Sequence, residues 1–194
     1  MLFTGLDLQL APGSVTWLRG TNGSGKTSLL RILAGLSHPA EGEVLWAGQP
    51  LRKAGDQARQ GTVYISHANA LKDDLTLLES VAFGAALSGL ADVTARAGAA
   101  LDAMGLKSRA DAPVRTLSQG QRRRGALARL RLDDAPRTWI LDEPFDALDT
   151  ASVDALARLI EGHAKRGGAV LLTSHQPVTL AGTQAFDLEP FRAR

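Results

Sequence analysis

The chain has 194 residues, with 22 basic and 20 acidic side chains and a formal net charge of +2. Its 44% hydrophobic and 22% charged residues are ordinary globular usage, which excludes a disordered polymer or a fibre. It contains no cysteine, so disulfides and thiolate chemistry are excluded. The length predicts one domain, with or without a subdomain, and the small charge gives no reason to expect a nucleic-acid partner.

The first third of the chain has the pattern of short strands around one helix. Leu6, Leu8 and Leu10 alternate with polar residues and predict a half-buried strand. By the same periodicity rules, we predict a strand over 15–18, a helix over 26–36, and strands over 43–46 and 62–65.

The composition changes in the middle of the chain. Residues from about 75 to 132 are rich in alanine and leucine, which favours helices. Two capping boxes are predicted there, Thr76 with Glu79 and Ser118 with Gln121.

The last third returns to alternating strands and helices. Strands are predicted over 139–141 and 169–173, with a helix over 150–166 between them. Apolar strands that alternate with helices predict a parallel sheet with helices on both faces. We therefore expect a single α/β domain over 1–194. Its core comprises 1–65 and 137–194, and a helical subdomain over 66–136 is inserted into it.

A glycine-rich segment follows the strand over 15–18. Residues 20–27, GTNGSGKT, match the P-loop pattern G-x-x-x-x-G-K-[ST]. Backbone N–H groups of such a loop, and of the helix that follows it, form a phosphate cradle. We expect Lys26 to reach the β- and γ-phosphates and the Thr27 hydroxyl to ligate Mg²⁺; the alternative is a glycine-rich turn with a surface lysine. The predicted nucleotide-binding residues are Gly20, Thr21, Asn22, Gly23, Ser24, Gly25, Lys26, Thr27 and Ser28.

Two carboxylates follow the buried strand over 139–141. We expect Asp142 to hold Mg²⁺, through water, and Glu143 to be the general base that orients or deprotonates the attacking water. The alternative is a pair of surface acids that begin a turn at Pro144.

The four histidines lie in different sequence contexts. His175 follows the strand over 169–173, where a neutral imidazole could hydrogen-bond the γ-phosphate or the water; the alternative is an ordinary loop residue. His38 and His163 are predicted to be surface residues without a role.

Further motifs resemble those of ATP-binding-cassette ATPases and occur in the family's order. Residues 117–121, LSQGQ, resemble the signature motif, with Gln119 where many members have glycine; its residues are Leu117, Ser118, Gln119, Gly120 and Gln121. Residues 147–149, which end in Asp149, resemble the D-loop, and 174–175 the switch histidine. The resemblance covers nearly the whole chain. It implies a P-loop NTPase with a RecA-like parallel-sheet core, a small N-terminal β part and an inserted helical subdomain.

The resemblance also implies a mechanism. Two copies would pair head to tail, with each ATP between one P-loop and the partner's signature, and hydrolysis would separate them. Ser118, at a helix N-terminus, can contribute to an anion site and still cap its own helix. His67 occupies the Q-loop position, where the family usually has glutamine. The family usually carries an adenine-stacking aromatic on an earlier strand, and Phe3 is a poor candidate by position. We therefore expect either that the adenine base is held weakly or that the chain begins at a late start codon.

Within that family, four segments resemble the haem-exporter ATPases of cytochrome c maturation: residues 43–51, 117–130, 141–149 and 173–177. This resemblance implies ATP hydrolysis that powers haem export or release of the haem-loaded chaperone, with ATP and Mg²⁺ as ligands. The implied partners are integral membrane subunits and a second copy of the chain. The implied location is peripheral, on the cytoplasmic side of the inner membrane.

Three alternatives to a haem-exporter ATPase remain open at this point. The first, a soluble ABC-type ATPase of nucleic-acid repair or translation, is disfavoured by the small charge and the absence of coiled-coil insertions. The second is the ATPase of an exporter with another cargo. The third, a domain that binds nucleotide without hydrolysis, is disfavoured by the presence of Lys26, Asp142 and Glu143.

Two further patterns concern membranes. The longest uncharged, mostly apolar run, 81–91, is shorter than the roughly 18 residues that span a bilayer, and no signal peptide is evident. We therefore expect membrane association only through a partner. A run of arginines predicts either a solvated helix face or attraction to anionic lipids or acidic partner loops. The run consists of Arg122, Arg123, Arg124, Arg129 and Arg131.

Overall fold

The computed structural model describes residues 2–177 and 179–193. Its strands are β1 (Val15–Arg19), β2 (Leu45–Trp46), β3 (Gln49–Pro50), β4 (Thr62–Ile65), β5 (Thr138–Leu141), β6 (Ala169–Thr173) and β7 (Thr183–Asp187). Its α-helices are α1 (Lys26–Leu33), α2 (Leu51–Gln60), α3 (Leu77–Leu87), α4 (Val93–Ala103), α5 (Gln119–Leu127) and α6 (Thr150–Lys165). Short 3-10 helices cover Lys107–Arg109, Val114–Thr116, Ala128–Arg131 and Glu189–Phe191.

The chain divides into two compact units. The sheet unit comprises the residues up to Tyr64, Pro136–Pro144 and those from Ala157 onward, and the helical unit comprises Ile65–Ala135 and Phe145–Leu156. Among the described residues, no helix combines the length and the apolar character that crossing a bilayer requires.

The sheet unit is built on five strands in the order β4-β5-β6-β1-β7. The pairs β5–β6, β6–β1 and β1–β7 are parallel, as the alternation of strands and helices predicts. Every residue of β6 is buried, as expected for a central strand covered on both faces. Because parallel strands end at the same edge, the residues that follow β1, β5 and β6 lie near one another.

The prediction of a strand over Leu6, Leu8 and Leu10 is wrong, but the predicted burial of one side of the segment is confirmed. The segment forms no strand, yet the three leucines pack against the core of the sheet unit, and Asp7 and Gln9 between them are exposed. The alternation therefore reflects burial of one side of an extended segment. The small N-terminal β part is the antiparallel pair β2–β3 instead.

The helical unit has its own apolar core, which includes Leu77, Val81 and Leu101. Both predicted capping boxes are present. At α3, the Thr76 hydroxyl accepts a hydrogen bond from the Glu79 N–H, and a Glu79 carboxylate oxygen accepts one from the Thr76 N–H. These bonds satisfy N–H groups that a helix cannot pair internally.

Most of the arginine run is not a solvated helix face, since Arg131 is the one exposed member of the five. Arg123 is 3% exposed and donates hydrogen bonds to the Ser66 carbonyl and to Asn69 Oδ1. Arg122 donates to the carbonyls of Leu117 and Arg115. Burial lowers the pKa of Arg129. These guanidinium groups serve the internal packing of the helical unit, because each carries several donors on a long apolar stem.

The prediction that His163 is a surface residue is also wrong. His163 is 1% exposed, and its ring stacks on Trp139 with centroids 3.6 Å apart and planes 6° from parallel. Its Nε2 lies 2.7 Å from the Arg137 carbonyl oxygen. Gly168 approaches this ring so closely that a Cβ there would lie 2.1 Å from Nε2.

We expect Gly168→Ala to destabilise the protein by about 1–3 kcal/mol, because the added methyl overpacks a ring that the stack and hydrogen bond hold in place. Gly162→Ala is the matched control, since its Cβ would meet nothing closer than 3.5 Å. Urea unfolding followed by circular dichroism measures both. Equal midpoints for the two variants would contradict a fixed His163 ring.

Candidate nucleotide-binding and catalytic site

The glycine-rich loop connects β1 to α1 and leaves the start of that helix open. The residue that precedes α1 is Gly25, and no side chain caps the helix. The first turn contains no acidic residue. The backbone N–H groups there remain available to an anion, which the positive end of the helix dipole attracts.

Two side chains of the loop have informative surroundings. The Lys26 ammonium donates hydrogen bonds to the carbonyls of Gly20 and Thr21, at 2.8 and 3.1 Å, so it lies folded over the loop. Ser24 is 2% exposed, and its hydroxyl oxygen has no hydrogen-bond partner within the part of the chain that the structure describes. The loop therefore combines the Lys26 ammonium with the Ser24 hydroxyl, and both can donate hydrogen bonds to a polyanion.

Asp142 lies directly after β5 and is 3% exposed. Its two carboxylate oxygens have different partners. Oδ2 accepts a hydrogen bond from the Thr27 hydroxyl, and Oδ1 accepts one from the Thr173 hydroxyl, both at 2.9 Å. Thr27 and Asp142, predicted to share a metal ion, are thus in direct contact.

Glu143 is 6% exposed and adjoins His175. The Glu143 Oε2 accepts a hydrogen bond from the His175 backbone N–H at 2.9 Å, and Oε1 lies 3.6 Å from His175 Nε2. The His175 side chain itself is 55% exposed. The two residues predicted to act on the attacking water therefore lie side by side, with the carboxylate inside and the imidazole toward solvent.

Sequence reasoning missed Thr173 and Tyr64. Thr173 contacts both Asp142 and Glu143, and only the strand order reveals that it would. Burial, and then the charge of Asp142, raise the pKa of the Tyr64 phenol, which keeps it neutral beside the carboxylate.

A third residue that sequence reasoning missed is Glu189, which reaches the glycine-rich loop from the 3-10 turn after β7. Its Oε1 accepts hydrogen bonds from the N–H and the hydroxyl of Thr21, at 2.7 and 2.6 Å. These bonds hold the pKa of Glu189 below its usual range, the hydroxyl contributing more than the N–H. The loop is thus tied to a segment 168 residues along the chain.

The signature residues belong to the helical unit. Ser118 caps α5 by accepting a hydrogen bond from the Gln121 N–H, and its own O–H proton remains available to another acceptor. A Cβ at Gly120 would lie 3.0 Å from the Ala147 carbonyl oxygen, so the start of α5 packs tightly against the D-loop segment.

The D-loop and Q-loop positions also lie in the helical unit. Asp149 Oδ1 accepts a hydrogen bond from the Ser152 N–H at 2.8 Å, and bonding to Ser152 lowers the pKa of Asp149. His67 Nδ1 lies 3.7 Å from Asp146 Oδ2, with both side chains well exposed. His67 therefore lies beside the residue that precedes the D-loop segment 147–149, at the surface of the same unit.

Residues 3–146 match the family described as ABC transporter. The chain belongs to this family. It is also 48% identical over 186 residues to the cytochrome c biogenesis ATP-binding export protein CcmA of Dechloromonas aromatica, which covers 94% of this chain and 89% of that protein. The CcmA protein of Haemophilus influenzae is 43% identical and covers 100% of this chain and 91% of its own length. This ABC ATPase is therefore a member of the cytochrome c biogenesis ATP-binding export proteins.

Solved structures agree with the fold of this ABC ATPase. A bacterial ABC transporter cassette, determined as a dimer, superposes with a TM-score of 0.84 at 23% identity and covers 96% of this chain and 87% of that chain. The ATP-binding subunit of an ABC transporter gives a TM-score of 0.77 at 26% identity, covering 87% and 70%. The α/β fold with a parallel-sheet core is thus the fold of ABC cassettes.

The contact between Glu189 and Thr21 predicts a pH-dependent contribution to stability. Because the pKa of Glu189 is lowered in the folded chain, its contribution is fully present above the unfolded value of about 4.5 and is lost as the pH falls through the lower folded value. We expect Glu189→Gln to lower the unfolding midpoint at pH 7. The difference between parent and variant should then shrink as the pH falls below about 4.5.

Thermal unfolding from pH 7 down to pH 3.5 tests this. Glu41→Gln is the control for charge alone, because Glu41 is exposed. A difference that persists unchanged into acid, or one equally large for Glu41→Gln, would show that the hydrogen bonds from Thr21 do not favour the ionised form.

Proposed function

We propose that this ABC ATPase binds and hydrolyses ATP with Mg²⁺ at the residues around the glycine-rich loop, and works as one domain over its 194 residues. The observation that carries the proposal is a continuous set of hydrogen bonds from Thr27 through Asp142 and Thr173 to Glu143 and His175. It joins the loop after β1 to those after β5 and β6, the place where nucleotides bind in such sheets.

The residues present fit both ligands. The uncapped start of α1 and the ammonium of Lys26 suit a triphosphate. The Thr27 hydroxyl and the Asp142 carboxylate, in contact at 2.9 Å, are the hard oxygen donors that Mg²⁺ takes. Mg²⁺ held by Thr27 and Asp142 would neutralise negative charge that develops on the phosphate during hydrolysis.

In the proposed mechanism, Glu143 accepts a proton from the attacking water. Its carboxylate is suited to this because the His175 N–H holds one oxygen and the residue is nearly buried. The exposed imidazole of His175 hydrogen-bonds the γ-phosphate or the same water. Lys26 exchanges its hydrogen bonds to the loop carbonyls for bonds to the β- and γ-phosphates.

We further propose that two copies act head to tail, so that the signature of one faces the nucleotide of the other. The free O–H proton of Ser118 and the open amides near Gly120 are donors suited to a phosphate. Asp149 and His67 serve the D-loop and Q-loop roles in this arrangement. The contact between His67 and Asp146 joins the Q-loop position to the residue that precedes the D-loop within one copy.

For the cellular role, we propose that ATP hydrolysis powers haem export or release of the haem-loaded chaperone in cytochrome c maturation. The support is the 43–48% identity over most of the chain to the cytochrome c biogenesis export proteins. Such a chain works as a peripheral subunit on the cytoplasmic side of the inner membrane, held there by integral membrane subunits.

We expect Glu143→Gln to lower kcat for ATP hydrolysis by about 100-fold or more, because general-base catalysis is lost while the side chain keeps its shape. ATP binding should persist, and the variant should dimerise in ATP and Mg²⁺. A phosphate-release assay and size-exclusion chromatography measure these effects. Hydrolysis at the parent rate would contradict the assignment of Glu143 as the base.

Complementation tests the cellular role. In a bacterium that lacks its own cytochrome c biogenesis ATP-binding export protein, the parent gene should restore haem-stained c-type cytochromes, and the Glu143→Gln gene should not. Equal restoration by both would show that hydrolysis is not needed. Failure of a parent chain that is expressed and hydrolyses ATP would indicate a different cargo.

A further inference from the structure

We propose that Thr173 is a positioning residue that sets the orientation of both Asp142 and Glu143 for ATP hydrolysis. This inference rests on the proposed ATPase function and adds a residue to its site. Thr173 is the last residue of β6 and is 0% exposed. The four residues before it in the strand are apolar, so it places one hydroxyl at the end of an apolar strand.

The strand order brings this hydroxyl to the site. β6 lies between β5 and β1, with Leu172 paired to Leu141 and Thr173 paired to Leu18. Because the strands are parallel, the residue after Leu141 is level with Thr173. Asp142 and Thr173 are therefore neighbours across the sheet edge through backbone register alone.

The Thr173 hydroxyl makes two hydrogen bonds of opposite sense. It donates to Asp142 Oδ1 at 2.9 Å and accepts from the Glu143 backbone N–H at 2.9 Å. A hydroxyl can donate and accept at one atom, whereas a carboxylate can only accept and an ammonium can only donate. Among side chains of this size, only serine and threonine meet both requirements with a strong donor and acceptor.

For Asp142, the result is a carboxylate held at both oxygens. Thr173 occupies Oδ1, which leaves Oδ2 directed at the Thr27 hydroxyl. Rotation about the side chain would break one bond or the other. Outer partners that hold a metal-binding carboxylate in this way commonly change metal affinity or activity by about 10- to 100-fold when they are removed.

For Glu143, the result is an anchored backbone. Its φ is 49°, a left-handed conformation that costs a residue with a Cβ free energy and that persists only where contacts hold it. The Thr173 hydroxyl accepts a hydrogen bond from the Glu143 N–H. The Glu143 carboxylate in turn accepts one from the His175 N–H. The direction of the proposed base thus depends on the same oxygen as the orientation of Asp142.

Thr173→Val tests the hydroxyl, because valine keeps the shape and branching of threonine without the oxygen. We expect kcat for ATP hydrolysis to fall by about 10- to 100-fold. Thr173→Ser keeps the oxygen and should remain within about threefold of the parent in kcat, having lost only the rotamer restriction of the methyl.

A binding measurement that does not depend on turnover accompanies the kinetics. The affinity of each variant for a fluorescent ATP analogue is measured in EDTA and in Mg²⁺. We expect Thr173→Val to match the parent in EDTA and to lose most of the gain that Mg²⁺ gives, and Thr173→Ser to retain that gain. Unfolding midpoints are recorded for all three proteins, and Thr173→Ala replaces the valine variant if the latter is unfolded.

The outcomes separate this inference from the function on which it rests. A parent chain without ATPase activity would refute the proposed function. With an active parent, unchanged kcat and Mg²⁺ response in Thr173→Val would overturn the positioning role. Equal losses in the valine and serine variants would also overturn it, because the hydroxyl would then not be the cause.

Discussion

The carboxylate of Asp142 is the constraint on which the catalytic edge of the sheet depends. A charged group that is 3% exposed is stable only when hydrogen-bond donors replace the water it has lost. Two of its donors are hydroxyls, from Thr27 at the start of α1 and from Thr173 at the end of β6. One buried charge therefore requires that β1, β5 and β6 end at the same level, which parallel pairing in this order provides.

The helices differ in how the N–H groups of their first turns are satisfied. In α3 and α5, a capping box pairs the N–H of the cap residue and one N–H of the first turn within the chain. The start of α1 has no such cap, which leaves donors unsatisfied and makes the loop costly without an anion. Because α2 and α4 also begin without a side-chain cap, the open start of α1 suits an anion through the glycine-rich loop and the Lys26 ammonium beside it.

The motifs and most of the strands could be predicted because they depend on local residue types. The glycine-rich loop, Asp142, Glu143 and the strand Ala169–Thr173 follow from pattern and spacing. Thr173 and Glu189 could not be found in this way, because their contacts depend on strand order and on the return of a segment 168 residues distant. The burial of His163 could not be predicted for the same reason, since its stack on Trp139 forms only when a helix packs on the sheet.

Contacts from Phe3 and Glu189 hold the glycine-rich loop in its observed conformation. Phe3 lies against Gly25, where an added Cβ would come within 3.3 Å of its ring, and it pairs with Arg192 in a short antiparallel bridge. Glu189 holds Thr21 from the same segment. A loop held at both Gly25 and Thr21 loses less conformational entropy when a nucleotide binds. Within the loop, Glu189 engages only the N–H and the hydroxyl of Thr21, so the amides at the start of α1 stay available and this contact does not compete with nucleotide binding.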